Sequence, residues 1–397
     1  MYEDLDLELP PKDELLRRIG KLRERMDEKA ISVSIILQHV DIYYFTGTMQ
    51  RSILVVPLDG EVLFFVEKSV ERARMESPFE PLEGAREKRV AEMLSGRLRG
   101  RCGMELDVLP VKVFQKWRAL FPSCEFVDLS GILREIRMVK SEYEIEQIRR
   151  SGMIVDHVFE KAREVIREGA TELEVASTLE AEGRKRGHQG FLRMRGFNNE
   201  MMNIHVIHGE SGTLPPPADV PVSGVGLTPA VPYGPSLRRI GKGTPTIVDY
   251  GGGYNGYVTD ETRTFVIGAL DEAFKRPYEV ALEIIEDISS LGKEGVDGRE
   301  IFLRAYSKAK GAGLEEFFMG FGQGKVSFLG HGLGLEINEL PVITKKHGVV
   351  LQEGMVFACE PKFTIPHKGA IGIEVDFIVK KHGLERVTKT PIELVCL

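Results

Sequence analysis

Cysteine is scarce in this chain. Its 397 residues include four, Cys102, Cys124, Cys359 and Cys396, scattered and without a CxxC pair. That spacing argues against a disulfide framework and against a thiolate metal cluster. The four are expected to be free thiols in a reducing cytoplasm, with Cys359 singled out only by its neighbour Glu360. Long apolar runs are missing as well. No stretch approaches the roughly 20 apolar residues needed to cross a bilayer. The opening residues MYEDLDLELPPKDELL are acidic and lack an apolar core, so they do not read as a secretory signal. There is no basic tract. Acidic and basic residues are interspersed, with a net charge of −7 and a pI near 5.9. Nucleic acid and membrane are therefore not expected partners. Nucleotide loops are absent too. GFGQGK at 320–325 is one residue short of a phosphate loop, and Val326 stands where Ser or Thr belongs. The glycines at 251–253 precede a strand rather than a helix, so they are not a dinucleotide fingerprint.

What is present is an ordinary globular composition, 42% hydrophobic and 28% charged. The length implies two domains. Helical spacing over 13–28 is followed by strand-like ISVSIIL at 31–37, ILVVPL at 53–58 and VLFFVE at 62–67. Helical spacing returns over 86–98, and GMELDVLP and CEFVDLS each read as a short strand before a helix. This alternation predicts an α/β domain ending near residue 135. A long helix follows, opened by a capping box at Ser141 and Glu144 and with Gly169 as its expected stop. A second helix is expected over 171–187, and two more over about 271–292 and 298–313. The Gly- and Pro-rich segment 189–243 must be loops and short extended pieces, and a stretch that long is usually functional.

Chemistry concentrates beyond residue 245. TIVDYGGGYNGYVTDETRTFVIG at 246–268 reads as two strands around a turn. Folding it about Tyr254 and Asn255 sets Asp249 opposite Asp260, and cross-strand partners have Cβ atoms roughly 4.5–5.5 Å apart. Two carboxylates so placed need a cation or a shared proton. Val248, Val258, Phe265 and Val266 make the hairpin look core-like. The strand FACEPKF at 357–363 carries Glu360, and AIGIEVDFIV at 370–379 carries Glu374 and Asp376 on one face. Acids inside runs this apolar need partners. Asp376 reads more readily as structural than as functional. His331 lies in FLGHGLGLE, where flanking glycines would let the backbone approach a ligand. Four carboxylates and one imidazole suit Mn, Co, Fe or Zn. Two ions about 3.5–4 Å apart balance that much negative charge better than one.

This pattern resembles the pita-bread metallopeptidases, the group of methionine aminopeptidase, aminopeptidase P and prolidase. The resemblance rests on the spacing of eleven between Asp249 and Asp260, on DETRTF, on GHGLGLE, and on the pairs EP at 360–361 and IE at 373–374. IRMVKSEYEIEQIRRSG at 136–152 resembles the junction opening the catalytic domain of the prolidase and creatinase branch, and YYFTGT at 43–48 resembles its N-terminal domain. The resemblance implies an α/β (α+β) chain with a creatinase-like domain over 1–135 and a pita-bread catalytic domain over 136–397. It implies Asp249 on a first metal, Asp260 and Glu374 bridging, and His331 with Glu360 on a second. Glu360 would also take the proton of the attacking water, a metal-bridging hydroxide being the nucleophile. The implied activity is cleavage of the C–N bond of an Xaa-Pro dipeptide or short peptide, by a homodimer.

Four positions depart from the family pattern. Tyr233, Ser327 and Asn338 stand where histidines are usual, and Gly372 where Arg is frequent. Tyr233 and Asn338 are expected to supply hydrogen bonds in the catalytic role of the lost groups. His205 or His208, in NIHVIHGE, could supply a substitute imidazole, the alternative being that both are ordinary strand or loop histidines. These losses keep open a non-peptidase reaction on the same scaffold, a small-molecule amide or amidine hydrolase or a lyase. A binding module without activity is disfavoured by the five intact ligands.

Overall fold

The first helix, α1 (Lys12–Glu28), forms where its spacing predicts, burying Leu15, Ile19, Leu22 and Met26 on one stripe. In the computed structural model, residues 7–94 and 100–397 are described, and the chain divides into units Met1–Arg137 and Met138–Leu397. The first unit is a six-stranded mixed sheet. Its strands are β1 (Ile31–Ile36), β2 (Ser52–Pro57), β3 (Leu63–Val66), β4 (Pro81–Glu83), β5 (Gly100–Met104) and β6 (Cys124–Asp128), ordered β4-β3-β2-β1-β5-β6. Val33, Ile35, Ile53, Val55, Phe65 and Trp117 fill its core. Helix α2 (His39–Thr46) was not expected from YYFTGT. It has no amphipathic stripe, because most of it is buried. Its ends carry the signal: Gln38 caps the N–H of Asp41, and Gly47 closes it at φ +79°. Helices α3 (Val70–Glu76), α4 (Glu87–Leu94), α5 (Val111–Leu120) and α6 (Ser130–Met138) complete the first unit. The end of the helix expected over 86–98 lies outside the described residues.

The second unit opens with α7 (Glu142–Val165), whose capping box at Ser141 and Glu144 is formed as expected. The helix stops at Ile166, short of Gly169. Helix α8 (Glu172–Lys185) follows. Strands β7 (Ile204–His208), β8 (Thr246–Tyr254) and β9 (Tyr257–Val266) form a sheet with the terminal β17 (Val395–Cys396), ordered β17-β9-β8-β7. Val155, Val158 and Phe159 of α7 and Leu179 of α8 pack with Val206, Val248 and Tyr250 of this sheet. A second pair, α9 (Glu272–Leu291) and α10 (Gly298–Gly311), packs Ile284, Ile288, Ile301 and Phe302 against Phe357, Phe363, Ile371, Val375 and Phe377. Those residues lie on β12 (Val356–Cys359), β13 (Lys362–Ile365), β14 (Gly369–Gly372) and β15 (Val375–Lys380). β12 and β15 belong to a five-stranded sheet, β11-β10-β12-β15-β16, where β10 is Phe328–Gly332, β11 is Glu339–Thr344 and β16 is Gly383–Arg386. β13 and β14 form a two-stranded ribbon.

Two expectations from the sequence are corrected. The β8–β9 turn centres on Asn255 and Gly256, both at positive φ (+47° and +87°), as a tight hairpin turn prefers. Asp249 therefore pairs with Thr262, and Asp260 with Gly251. Moving the turn by one residue moves each partner by two, so both aspartates stay on one face as diagonal neighbours. The runs 357–363 and 370–379 are also not continuous strands. Each breaks at its glutamate, Glu360 between β12 and β13 and Glu374 between β14 and β15.

Candidate metal centre

The hairpin motif DETRTF uses its two faces differently. On one face, Asp260 points to the centre, Thr262 Oγ1 donates to Glu374 Oε2 at 2.9 Å, and Thr264 Oγ1 donates to the carbonyl of Gly372 at 2.7 Å. On the other, Glu261 and Arg263 form a fully buried ion pair at 2.8 Å. The Arg263 guanidinium also donates to the carbonyls of Thr262, Glu374 and Pro391. One strand thus carries a candidate ligand and pins the break at Glu374. Asp376 serves the same strand, its Oδ2 accepting the N–H of Asp260 at 2.8 Å. Burial, then Glu261, pushes its carboxyl well above the usual range. A buried carboxyl that holds a backbone N–H has a structural role.

Asp260, His331 and Glu374 converge, each offering a ligand atom within 4.8 Å of the others. His331 Nδ1 lies 3.2 Å from the carbonyl of Gly332, which can only accept, so the ring proton belongs on Nδ1. The Nε2 lone pair then faces Asp260 Oδ2 at 3.7 Å and Glu360 Oε1 at 3.9 Å. Glu374 Oε1 is buried with no hydrogen-bond partner. Acceptors facing acceptors in a buried site need a cation or a shared proton between them. An orphaned carboxylate oxygen, a correctly tautomerised imidazole and a second carboxylate are a fitting donor set for one divalent ion.

Asp249 stands apart, on a feature that motif reading missed. Lys362 Nζ donates to Glu374 Oε2 at 2.8 Å and to Asp249 Oδ2 and Glu360 Oε2 at 3.0 Å each. Its side chain is 3% exposed. Burial alone would lower its pKa, but Asp249, Glu360 and Glu374 together hold it well above the usual value. The converse holds for the acids. Asp260 rises well above the carboxylate range, through burial and then the charges of Glu374 and Asp249. Glu360 is pushed up to about 8 by burial and Glu374, against the pull of Lys362. Asp249 is lowered, because Lys362 and His205 outweigh its burial. The second ion of a two-ion centre does not fit beside Asp249 while the ammonium is there. The sequence did hold a signal: Lys362 lies two residues beyond Glu360 in an apolar strand, where a charge needs a partner.

The remaining candidates fall outside this cluster or at its edge. Tyr233 is partly exposed, and its hydroxyl donates to Glu200 at 3.5 Å rather than to any of the four carboxylates. Asn338 pairs with the backbone of Arg195 in both directions, at 2.8 Å each way. It therefore pins a point within segment 189–243. Ser327 accepts through its carbonyl from Thr344. His205 pairs directly with Asp249 across β7 and β8, and its Nδ1 lies 3.0 Å from the carbonyl of Ser223. His208 uses both ring nitrogens, Nδ1 with Thr246 Oγ1 and Nε2 accepting from Gly241 N–H, and is structural. The glycines beside His331 serve the sheet rather than a ligand. A Cβ at Gly330 would lie 1.9 Å from the carbonyl oxygen of Ala358, and one at Gly332 2.0 Å from that of Leu340. Cys359 is buried, and burial raises its thiol well above the usual value, so it is not a reactive nucleophile.

Carboxylates on a hairpin and two broken strands, joined by one imidazole, define a metallohydrolase type of centre. The chain belongs to metallopeptidase family M24, whose profile matches residues 146–381, and the creatinase/prolidase N-terminal domain matches 18–139. It is 30% identical over 379 residues to the Xaa-Pro dipeptidase of Pyrococcus furiosus, covering 95% of this chain and 99% of that one. Among solved structures it resembles the prolidase of Pyrococcus horikoshii OT3 (TM-score 0.81, 27% identity, 96% and 100% coverage). It also resembles the Xaa-Pro dipeptidase of Bacillus anthracis (TM-score 0.83, 27% identity, 96% and 100% coverage). The creatinase-like N-terminal domain and the pita-bread catalytic domain inferred from the sequence are the ones the chain has. Membership of this family implies divalent metal ions at the site.

Proposed function

We propose that the protein is a metal-dependent Xaa-Pro dipeptidase or aminopeptidase, hydrolysing the C–N bond of a short peptide. The observation that carries this reading is the convergence of Asp260, His331 and Glu374, with Glu360 at 3.9 Å from the imidazole. It lies in a chain related along nearly its whole length to an Xaa-Pro dipeptidase. That relationship favours a peptide over the small-molecule amide, amidine or lyase substrates that the missing histidines had kept open. Nothing about the site points to a membrane or nucleic acid, and no described helix is long and apolar enough to cross a membrane.

Asp260, His331, Glu374 and Glu360 would hold the ion. When bound, it supplies Lewis-acid polarisation of the scissile carbonyl and lowers the pKa of water. Glu360 would take the proton of an attacking water and pass it to the leaving amine. Lys362 donates to Glu360 Oε2, which leaves Oε1 as the oxygen facing the imidazole of His331. Asn338, paired with the backbone of Arg195, would act by holding segment 189–243 in place, whereas Tyr233 bonds Glu200 rather than the carboxylate cluster. The oxygen and imidazole donors are compatible with Mn, Co, Fe or Zn. Two ions are implied by the resemblance, but Lys362 contests the position beside Asp249. The homodimer rests on the sequence resemblance, and the four free cysteines suit a reducing compartment such as the cytoplasm.

The test is hydrolysis of an Xaa-Pro dipeptide panel by purified enzyme loaded with each of the four metals. Cleavage that chelation abolishes and metal restores is expected. Glu360→Gln should lower kcat by about 10²–10⁴. No cleavage of any panel member with any metal overturns the reading.

A further inference from the structure

Lys362 is the feature of this centre that the family resemblance does not explain. Its ammonium has three N–H donors, and Asp249, Glu360 and Glu374 take one each at 2.8–3.0 Å. The contacts are saturated and buried. They use the oxygens that a metal ion beside Asp249 would need, and such an ion would require them at about 2.0–2.2 Å. The ammonium and that ion cannot share them. Room for the lysine is built into the opposite strand. Lys362 pairs with Gly372 across β13 and β14. A Cβ at Gly372 would lie 2.7 Å from both Cα and Cγ of Lys362, so any side chain there would displace the lysine stem. The charges agree as well. Four carboxylates with one lysine and one divalent ion leave a single negative charge, whereas a second divalent ion would leave the buried centre positive. Glu374 converges with Asp260 and His331, and its Oε1 has no hydrogen-bond partner. Glu374 Oε2, by contrast, is already held by Lys362 and Thr262.

We infer that Lys362 Nζ stands in for one of two cations, so that the centre takes a single divalent ion, held by Asp260, His331, Glu374 and Glu360. The inference rests on the metallohydrolase reading above, and it changes the chemistry of that reading. Charge on the Asp249 side is balanced by a fixed ammonium that cannot dissociate. A chelator therefore empties only one position, and Asp249 becomes a positioning residue for Lys362 rather than a metal ligand.

The test is Mn(II) stoichiometry by equilibrium dialysis and elemental analysis on the full chain, with the EPR spectrum of the bound ion. Wild type is expected to bind one Mn(II) per chain with an uncoupled signal, because no second ion lies within the roughly 4 Å that couples a pair. Lys362→Gly is expected to bind two, with a coupled signal. Asp249→Asn provides a second route should Lys362→Gly fail to fold, and it is expected to retain one ion. Two ions in wild type, one ion in folded Lys362→Gly, or none in Asp249→Asn would each overturn the inference. Two ions with Xaa-Pro cleavage would sink the inference and leave the peptidase reading standing. One ion with a silent peptide panel would do the reverse. No ion in wild type would remove both.

Discussion

At the scale of single residues, the four acids and the imidazole were legible because each is an ionisable group inside an apolar run. Lys362 satisfies the same criterion and was passed over, since a motif directs attention to the positions it names. His208 shows the opposite case, a histidine next to candidate ligands that is wholly structural. Burial, and then the charge of Arg238, lowers its pKa from 6.5 to about 4. Between those values the unfolded chain binds a proton that the folded chain refuses, so stability rises with pH across this window. The contribution is complete above about pH 6.5 and is lost as pH falls toward 4. At pH 5 the loss relative to neutral is about 2 kcal/mol, from the linkage relation. Denaturant titrations of wild type and His208→Asn at pH 7 and pH 5 should show it. The variant should be less stable at pH 7, yet lose about 2 kcal/mol less on acidification, as linkage requires. Equal losses would mean that the ring titrates normally in the folded protein.

At the scale of elements, helices with a clear stripe were readable to within a few residues. α1, α7, α8, α9 and α10 form from local periodicity and caps, and the sequence contains both. The site was harder to read because it lies where strands break. Nothing local tells that FACEPKF leaves one sheet for another at Glu360, since that depends on which strands lie alongside. The hairpin register depended on one turn residue, and Asn255-Gly256 was the stronger turn signal in GGGYNG. The glycines around His331 were visible, but their purpose was not. Gly330 is pinned against the carbonyl of Ala358 on β12, which places His331 opposite Ala358 and near Glu360. Gly330→Ala should therefore cost about 1–3 kcal/mol, in the range for forced overpacking, and should weaken metal binding by moving His331. Gly20→Ala is the control. Gly20 lies inside α1, and a Cβ there meets nothing within 4 Å. It should stabilise by about 0.5–1 kcal/mol. Thermal melts and Mn(II) titrations of the two variants separate a close approach from a mere helix weakener. Gly330→Ala with unaltered metal affinity would show that β10 can shift without moving the imidazole.

At the scale of the whole chain, every candidate ligand lies between residues 249 and 374, within Met138–Leu397. Metal binding is therefore coupled to the folding of that unit. An ion that binds only the folded form, supplied at 100 times its dissociation constant, adds about 2.7 kcal/mol. That corresponds to a roughly 100-fold slowing of any exchange that requires the site to open. Hydrogen exchange resolves where the energy goes. Amides of β8, β9, β10, β12 and β15 should slow on addition of Mn(II), since their opening separates Asp260, His331, Glu360 and Glu374. The sheet β1–β6 has its own core around Trp117 and contributes no ligand, so its amides should exchange at unchanged rates. Equal slowing in both units would show that they open as one cooperative body. Slowing confined to the hairpin would show that the ion guards only a local opening of β8 and β9. The metal-free protein adds a second comparison. In Lys362→Gly the buried carboxylates lose their ammonium, and breaking such a buried pair costs about 3–5 kcal/mol. Without metal this variant should exchange much faster than wild type throughout β12–β15, and Mn(II) should rescue it by more than it stabilises wild type.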